Sequence, residues 1–294
     1  MNETGEQLDN LTRINLDDLL ASLGWQHSPL GVRLVNGLFR WPACRFACQM
    51  IAFDQDVAAN GMRQGAARLL PRFTHGLQVS GVEHIPANGP LLLLSNHPGM
   101  ADTLALFTAI PRSDLSVVSL ERPFLKQLHA VSRRLIYIPE QGKGRLQALR
   151  AMLSRLQSGG AILTFPAGHI EPDPAVLPGA VASLDSWSPS MALFIRKVPE
   201  TLIVGVVVSH VLAPQATFHP LTRLRRTRLD RERLGASIQL IMHILFPDLW
   251  PVTTEITFTP PLPAACLAEL RHPQDMTRAV KDYIRPYMAA ASHV

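Results

Sequence analysis

The sequence lacks the features that identify disulfide-rich proteins, Cys/His metal-binding proteins and serine esterases. It has 3 cysteines in 294 residues, Cys44, Cys48 and Cys266, too few and too widely spaced for a disulfide framework. We therefore expect a reducing compartment, and because no Cys and His pair has metal-ligand spacing, we expect no metal. The chain also lacks a Gly-x-Ser-x-Gly elbow, which argues against a serine esterase.

Long apolar runs are absent too. No uninterrupted run approaches the ~18 residues that a membrane-spanning helix requires. The polar and acidic start of the chain, residues 1–15, predicts no secretory signal peptide. An apolar stretch, residues 28–53, is interrupted by Pro42 and by three arginines, at positions 33, 40 and 45. It predicts one or two amphipathic helices that either cover the core or lie on a membrane surface.

The chain nevertheless has enough apolar residues for a large core. Apolar residues make up 47% of it, which excludes wholesale disorder. The formal net charge of +5 favours acidic partners, such as anionic lipid headgroups, phosphorylated cofactors or nucleic acid.

Apolar strands alternate with helices along most of the sequence. Helical spacing from Asn15 to about Arg72 predicts an N-terminal helical segment, residues 1–75. If its apolar stretch lies on a membrane surface and does not cover the core, this segment associates with the membrane. Residues 76–294 predict an α/β domain with a mostly parallel sheet flanked by helices. The predicted strands are 91–95, 115–120, 135–138, 161–165, 202–209 and 253–259. The principal predicted helices are 102–110, 124–129, 145–158, 191–196 and one around 276–287.

The most informative segment is Asn96-His97-Pro98-Gly99-Met100-Ala101-Asp102, which follows the first buried strand. A carboxylate five positions after a histidine can orient the imidazole and support positive charge on it, while the other ring nitrogen faces a substrate. The alternative is an ordinary strand-to-helix turn, with Pro98 near the helix start and Asp102 as its cap.

A second loop, Phe165-Pro166-Ala167-Gly168-His169, also leaves an apolar strand. Sites in α/β sheets gather beyond the carboxyl ends of the strands, so the two loops meet if their strands are parallel neighbours. Gly168 is either a donor whose backbone N–H approaches a substrate or a plain turn glycine.

The Asn-His-x4-Asp loop, the Phe-Pro-x-Gly loop roughly seventy residues later and the apolar strand after Val198-Pro199 together resemble the glycerophospholipid acyltransferase family, over residues 77–212. The resemblance implies a glycerolipid acyltransferase-like fold and direct acyl transfer. His97 would deprotonate an acceptor hydroxyl, Asp102 would hold His97, and the oxygen would attack the thioester of acyl-CoA or acyl-carrier protein. Substrate contacts and oxyanion stabilisation would come from residues of the two loops: Asn96, Pro166, Gly168 and His169. No cofactor is implied beyond the acyl donor itself.

The sequence departs from the family where the acceptor's phosphate is expected to bind. The family pattern Phe-Pro-Glu-Gly-Thr-Arg-Ser is here Phe-Pro-Ala-Gly-His-Ile-Glu, so Ile170 replaces the arginine and Glu171 the serine. An arginine after an earlier strand is replaced by Glu140. Because Arg binds phosphate in a geometry that other residues do not easily reproduce, lysophosphatidate is a doubtful acceptor.

Two explanations remain open for the missing arginines. A substitute phosphate clamp would come from nearby basic residues, for which the candidates are Arg133, Arg134, Lys143 and Arg145. Otherwise the acceptor is a neutral or cationic alcohol. In the second loop, His169 fits a histidine bonded to backbone better than a substrate contact, and Glu171 and Asp173 are interpreted as solvated acids.

Six arginines lie within eleven positions, from Arg223 to Arg233. They form either a solvated helical face or a contact to anionic lipid or an acidic carrier protein. Nucleic acid is not expected, because no aromatic residues interleave with them.

The sequence therefore predicts a thioester-dependent O-acyltransferase of phospholipid or other lipid metabolism, acting on a lipid-like acceptor as a peripheral cytoplasmic protein at the inner membrane. Two alternatives stay open: a non-catalytic lipid-binding homologue and an acyl thioesterase in which His97 activates water.

Overall fold

The computed structural model describes residues 3–99, 101–139, 144–246 and 248–292. By its internal contacts the chain divides into two units. Unit 1 comprises Met1–Gly76, Arg122–Arg133 and Leu212–Val252, and unit 2 comprises Leu77–Glu121, Arg134–Val211 and Thr253–Val294. The predicted domain division into residues 1–75 and 76–294 stays a prediction.

The elements of the described residues alternate as the sequence pattern indicates. The strands are β1 (Gly76–Ser80), β2 (Leu91–Ser95), β3 (Ser116–Leu120), β4 (Leu135–Ile138), β5 (Ala161–Thr164), β6 (Leu202–Ser209), β7 (Thr253–Phe258) and β8 (Leu262–Pro263). The helices are α1 (Glu3–Leu23), α2 (Pro29–Asn60), α3 (Met62–Leu69), α4 (Asp102–Ala109), α5 (Pro123–Lys126), α6 (His129–Ser132), α7 (Arg145–Gln157), α8 (Ala180–Ser183), α9 (Met191–Lys197), α10 (Pro214–Thr217), α11 (Arg228–Leu245), α12 (Ala265–Ala268) and α13 (Pro273–Ala291).

Unit 2 is built around one sheet in the order β1-β7-β6-β2-β5-β3-β4, with β8 paired to β6. The strands from β6 to β4 run parallel, and β7 and β8 are antiparallel to β6. The predicted α/β class with a mostly parallel sheet flanked by helices is thus confirmed. Since parallel strands end at the same edge, β2, β5 and β6 bring the segments that follow them together.

The centre of this sheet explains why Leu91–Leu94 is apolar at every position. Successive strand side chains point to opposite faces, and all four leucines are 0% exposed, so both faces are covered. On one face Leu92 and Leu94 pack with Met152 of α7, Phe194 of α9 and Ile284 of α13.

Helix α7 corrects one detail of the sequence pattern. The helical spacing of Leu146, Leu149, Leu153 and Leu156 predicts that they share one buried face, but Leu146 is 66% exposed. The residues buried on α7 are Ala148, Met152 and Leu156, because the sheet contacts the helix along a stripe rotated from the leucine row.

Unit 1 is helical, as the spacing before Arg72 predicts, although α1 begins at Glu3, earlier than the predicted start at Asn15. The apolar stretch 28–53 lies in a single helix, α2, with Pro42 inside it, and the side chain of the N-cap Ser28 accepts a hydrogen bond from the Gly31 N–H. Val35 and Ala43 of α2 pack against Leu16 and Leu20 of α1. Among the described residues, no helix is long and apolar enough to cross a membrane.

Candidate active site

His97 lies just beyond the carboxyl end of β2, and its imidazole is held by Asp102. The Nδ1 atom lies 2.7 Å from the Asp102 Oδ2 atom. An ionised carboxylate only accepts hydrogen bonds, so Nδ1 carries the proton and the unprotonated Nε2 is the basic atom of the neutral ring. Nε2 has no hydrogen-bond partner in the part of the chain that the structure describes, and the side chain is 29% exposed.

Asp102 is fully buried at the start of α4. Its Oδ2 atom also accepts the Gly99 N–H at 2.9 Å, and its Oδ1 atom accepts from the backbone N–H and hydroxyl of Thr103. Gly99 has φ 93, a left-handed conformation that glycine adopts without strain. Asp102 is the first residue of α4, and the N-cap is Ala101, so the interpretation of Asp102 as the helix cap is wrong. Its carboxylate contacts the imidazole of His97 while it accepts these hydrogen bonds.

The loop carrying His97 is fixed to the neighbouring strand by Asn96. The side-chain amide of Asn96 donates to the Val208 carbonyl at 2.8 Å and accepts the Val208 N–H at 2.7 Å. Both contacts continue the pairing of β2 with β6 beyond the end of β2. With its amide used in this way and its surface buried, Asn96 positions His97.

The second loop meets the first, as expected for neighbouring parallel strands. The Phe165 ring packs on the imidazole of His97, with ring centroids 4.4 Å apart. The backbone carbonyl of Pro166 accepts the Ser188 N–H, and the His169 side chain is exposed with Nδ1 2.8 Å from the Ala167 carbonyl. Gly168 has φ 69, and its N–H donates to the Phe165 carbonyl at 3.0 Å. That N–H is occupied by a turn, so this geometry does not favour the predicted donation to an oxyanion.

Glu171 is the residue that sequence reasoning misjudged most. The interpretation as a solvated acid is wrong, because Glu171 is 1% exposed. Its Oε2 atom accepts the His97 N–H at 3.1 Å, and its own N–H donates to the His97 carbonyl at 2.8 Å. Its Oε1 atom accepts from the Trp187 indole at 2.9 Å and lies 2.8 Å from the Ser183 hydroxyl.

Asp173 is a second buried acid in this loop, where a solvated one was expected. Its carboxylate accepts the N–H groups of His210 at 3.0 Å and Val211 at 2.7 Å, just beyond the end of β6. His210 has φ 56, unusual for a residue with a side chain and typical of functional sites. The loop after β5 thus binds the exits of both β2 and β6. Acids flanked by prolines look like surface residues in a sequence, and no local signal indicates these partners.

The electrostatics of the pair follow from this burial. Burial lowers the pKa of His97, but the Asp102 carboxylate, by charge and hydrogen bond, and the charge of Glu171 together raise it above its ordinary value. Burial raises the pKa of Glu171, and hydrogen bonds from Trp187, Ser183 and the His97 N–H, with the charge of His97, oppose that rise. His97 is therefore a stronger base than a solvated histidine.

Of the four candidate phosphate residues, the structure describes three: Arg133, Arg134 and Arg145. Arg134 precedes β4, at the amino edge of the parallel strands, and its guanidinium donates to the Ser113 carbonyl at 3.0 Å. Arg133 is an exposed residue of unit 1. Arg145 is exposed at the start of α7, after the carboxyl end of β4. Lys143 and Glu140 lie outside the described residues. No cluster of three or more His, Cys, Asp or Glu suited to a metal occurs in the described part of the chain.

A protein-family model matches the part of the chain that contains both loops. Residues 76–189 match the family model described as Acyltransferase, which confirms the resemblance over that range. The chain is also similar to the crystal structure of the 1-acyl-sn-glycerophosphate (LPA) acyltransferase PlsC from Thermotoga maritima, with a TM-score of 0.47 and 14% identity over 94% of this chain and 97% of that chain. A search of curated proteins found no match.

Proposed function

We propose that this protein transfers a fatty acyl group from a thioester donor to a hydroxyl group of a lipid-like acceptor, a proposal supported by the match of residues 76–189 to the acyltransferase family model. The observation that carries the proposal is the 2.7 Å contact between His97 Nδ1 and the buried Asp102, which leaves Nε2 free to act as a base at the carboxyl edge of the sheet.

In the proposed reaction, His97 Nε2 accepts the proton of the acceptor hydroxyl as its oxygen attacks the thioester carbonyl carbon. The new C–O bond forms and the C–S bond breaks, and the proton passes from Nε2 to the departing thiolate. The products are an ester and a free thiol, with no acyl-enzyme and no cofactor beyond the donor, acyl-CoA or acyl-carrier protein. Asp102 keeps the Nδ1 proton in place and stabilises the imidazolium that forms in between.

Negative charge on the thioester oxygen needs a hydrogen-bond donor. Since the Gly168 N–H is engaged, the better candidates are the N–H groups of Ala167 and His169, which form no backbone hydrogen bond within the described residues. Both belong to the loop whose Phe165 packs on His97.

For the acceptor, we propose a lipid alcohol without a terminal phosphate. The support is the absence of both family arginines together with the position of Arg134 at the opposite edge of the sheet. Two buried acids, Glu171 and Asp173, follow the second loop directly and would repel a phosphate dianion.

A peripheral location on the cytoplasmic face of the inner membrane fits this chemistry. Helix α2 presents exposed apolar residues along one face, at Leu30, Leu34, Leu38 and Trp41. Arginines at positions 33, 40 and 45 of the same helix would contact anionic headgroups.

The test is to incubate the purified protein with labelled acyl-CoA and a panel of lipid alcohols with and without phosphate, and to identify the products by mass spectrometry. We expect an acylated lipid, formed with higher kcat/KM for the acceptors without phosphate. His97→Ala should lower kcat about 10²–10⁴-fold while the fold, followed by circular dichroism, is unchanged.

Three results would contradict this proposal. Free fatty acid as the main product would identify a thioesterase. Tight lipid binding without turnover would identify a non-catalytic homologue. Near-normal transfer by His97→Ala would exclude the histidine as the base.

A further inference from the structure

Residues 218–229 of unit 1 expose large apolar side chains next to one another. Phe218 is 62% exposed, Leu221 50%, Leu224 67% and Leu229 36%. A soluble surface carries such residues singly, whereas a cluster within twelve positions marks a surface that meets an apolar partner.

The 3₁₀ helix Pro220–Leu224 exposes two apolar side chains and buries a polar one. With three residues per turn, Leu221 and Leu224 align on one side. Thr222, which lies between them, is buried, and its hydroxyl donates to the His219 carbonyl at 2.7 Å. The polar residue therefore points inward and both leucines point outward, the reverse of the usual arrangement.

Four arginines lie in residues 218–229, and acidic side chains neutralise two of them. Arg225 pairs with Asp230 at 3.4 Å and Arg228 with Glu232 at 2.7 Å. Arg223 and Arg226 are exposed and have no ion-pair partner among the residues described. Two free guanidinium groups thus flank Leu224 in the sequence.

The segment adjoins the turn between α1 and α2 within unit 1. The Arg225 guanidinium lies against Gly24, where any side chain would collide with it. The Ser237 hydroxyl of α11 lies 3.1 Å from the Ser22 hydroxyl of α1. Next to Gly24, Trp25 exposes 39% of its surface, so a further apolar side chain borders the same region.

We propose that residues 218–229 are a membrane-docking surface for anionic lipid, in addition to the exposed apolar face of α2. Phe218, Leu221 and Leu224 enter the acyl-chain boundary, and Arg223 and Arg226 bind headgroup phosphates. An acidic carrier protein would match the arginines alone, whereas half-exposed leucines aligned beside them match a lipid interface. The physiological meaning rests on the proposed lipid acyltransferase, but the binding itself does not.

The experiment measures co-sedimentation of the full chain with vesicles of phosphatidylcholine, with and without phosphatidylglycerol. Leu221→Ser combined with Leu224→Ser should weaken binding about tenfold or more on the anionic vesicles. Arg223→Gln combined with Arg226→Gln should weaken it about tenfold on anionic vesicles and leave the weaker binding to phosphatidylcholine unchanged.

Matched controls lie on α7 of unit 2. Leu146→Ser removes a leucine that is 66% exposed, like Leu224, and Arg150→Gln removes an exposed arginine; both should bind vesicles like the wild type.

Three outcomes would each overturn the proposal. In the first, the wild type fails to bind anionic vesicles, and in the second, both double variants bind them like the wild type. In the third outcome, the double variants lose binding to an acyl-carrier protein and keep normal vesicle binding. If the wild type binds vesicles but transfers no acyl group, only the proposed function fails. If it transfers acyl groups in detergent but the double variants dock normally, only the docking surface fails.

Discussion

The two units use apolar side chains in opposite ways. In unit 2, β2 places four leucines at 0% exposure, and the large apolar residues left exposed among its described residues are Val82 and Leu146. In unit 1 the exposed set is far larger: Trp25, Leu30, Leu34, Leu38, Trp41, Phe218, Leu221, Leu224, Leu229, Phe246 and Leu249. Unit 2 uses its apolar residues to fix a sheet, and unit 1 holds many of them at its surface.

Polar residues complete the contrast. Unit 2 buries three carboxylates at the exits of its strands, Asp102, Glu171 and Asp173, each with N–H donors. Buried acids with satisfied hydrogen bonds make a rigid setting, which suits a base that must face one atom of a substrate. Arginines on an exposed apolar surface suit a partner without a fixed shape. Substitutions in each unit can test this division of roles.

The largest expected effect comes from Asp102→Asn. The amide cannot hold the Nδ1 proton of His97 as a carboxylate does, so kcat should fall about 10²-fold or more, measured with saturating donor and acceptor. Vesicle binding should be unchanged. Asp275→Asn, which changes a half-exposed acid of α13, is the control and should keep normal kcat. Loss of vesicle binding in Asp102→Asn would contradict the assignment of acyl transfer to unit 2 and of vesicle binding to unit 1.

Glu171→Gln should have a smaller effect with a distinctive pH signature. The Glu171 charge raises the pKa of His97, so its removal lowers that pKa, and His97 stays in its neutral, basic form to lower pH. The acidic limb of the kcat profile should move to lower pH, and the plateau should fall because a weaker base remains. Glu200→Gln, an exposed acid, should leave the profile in place. A lower plateau with an unmoved limb would make Glu171 a purely structural residue.

Arg145→Gln tests whether Arg145 binds the phosphate of an acceptor. An exposed ion pair contributes no more than ~1 kcal/mol, so KM for an acceptor with a phosphate should rise at most about fivefold. KM for an acceptor without phosphate should not change. Arg134→Gln serves as the control, because Arg134 lies at the amino edge of the strands. A rise in KM with Arg134→Gln instead would contradict the topological argument.

The smallest effect is expected on stability in unit 1. Leu224→Ser changes an exposed residue, so the free energy of unfolding should stay within about 0.5 kcal/mol of the wild type in urea titration. The comparison variant is Leu93→Ala in β2, where burial is complete and the loss should reach about 2–5 kcal/mol. A large loss from Leu224→Ser would mean that this leucine supports the fold.

Elements with a strong local signal were predicted well. Strands 91–95 and 202–209 match β2 and β6, because uninterrupted apolar runs fit strands covered on both faces. Strand 135–138 matches β4, an edge strand whose residues are partly buried. The short helix predicted at 124–129 is instead two helical turns, α5 and α6, around Gln127 and Leu128. At the site, the meeting of His97 with Asp102 was predictable, since five positions across a strand-to-helix turn bring the two side chains together.

The class of fold and the contact between His97 and Asp102 depend on short-range spacing, so both were predictable from the sequence. The tertiary structure alone decided the surroundings of that pair. Glu171 meets His97 across 74 positions, and Asp173 meets His210 across 37, because parallel strands bring distant loops to one edge. The tertiary structure also decided which leucines face water. Leu93 and Leu224 have the same side chain, but packing buries Leu93 in the core and leaves Leu224 exposed at the surface.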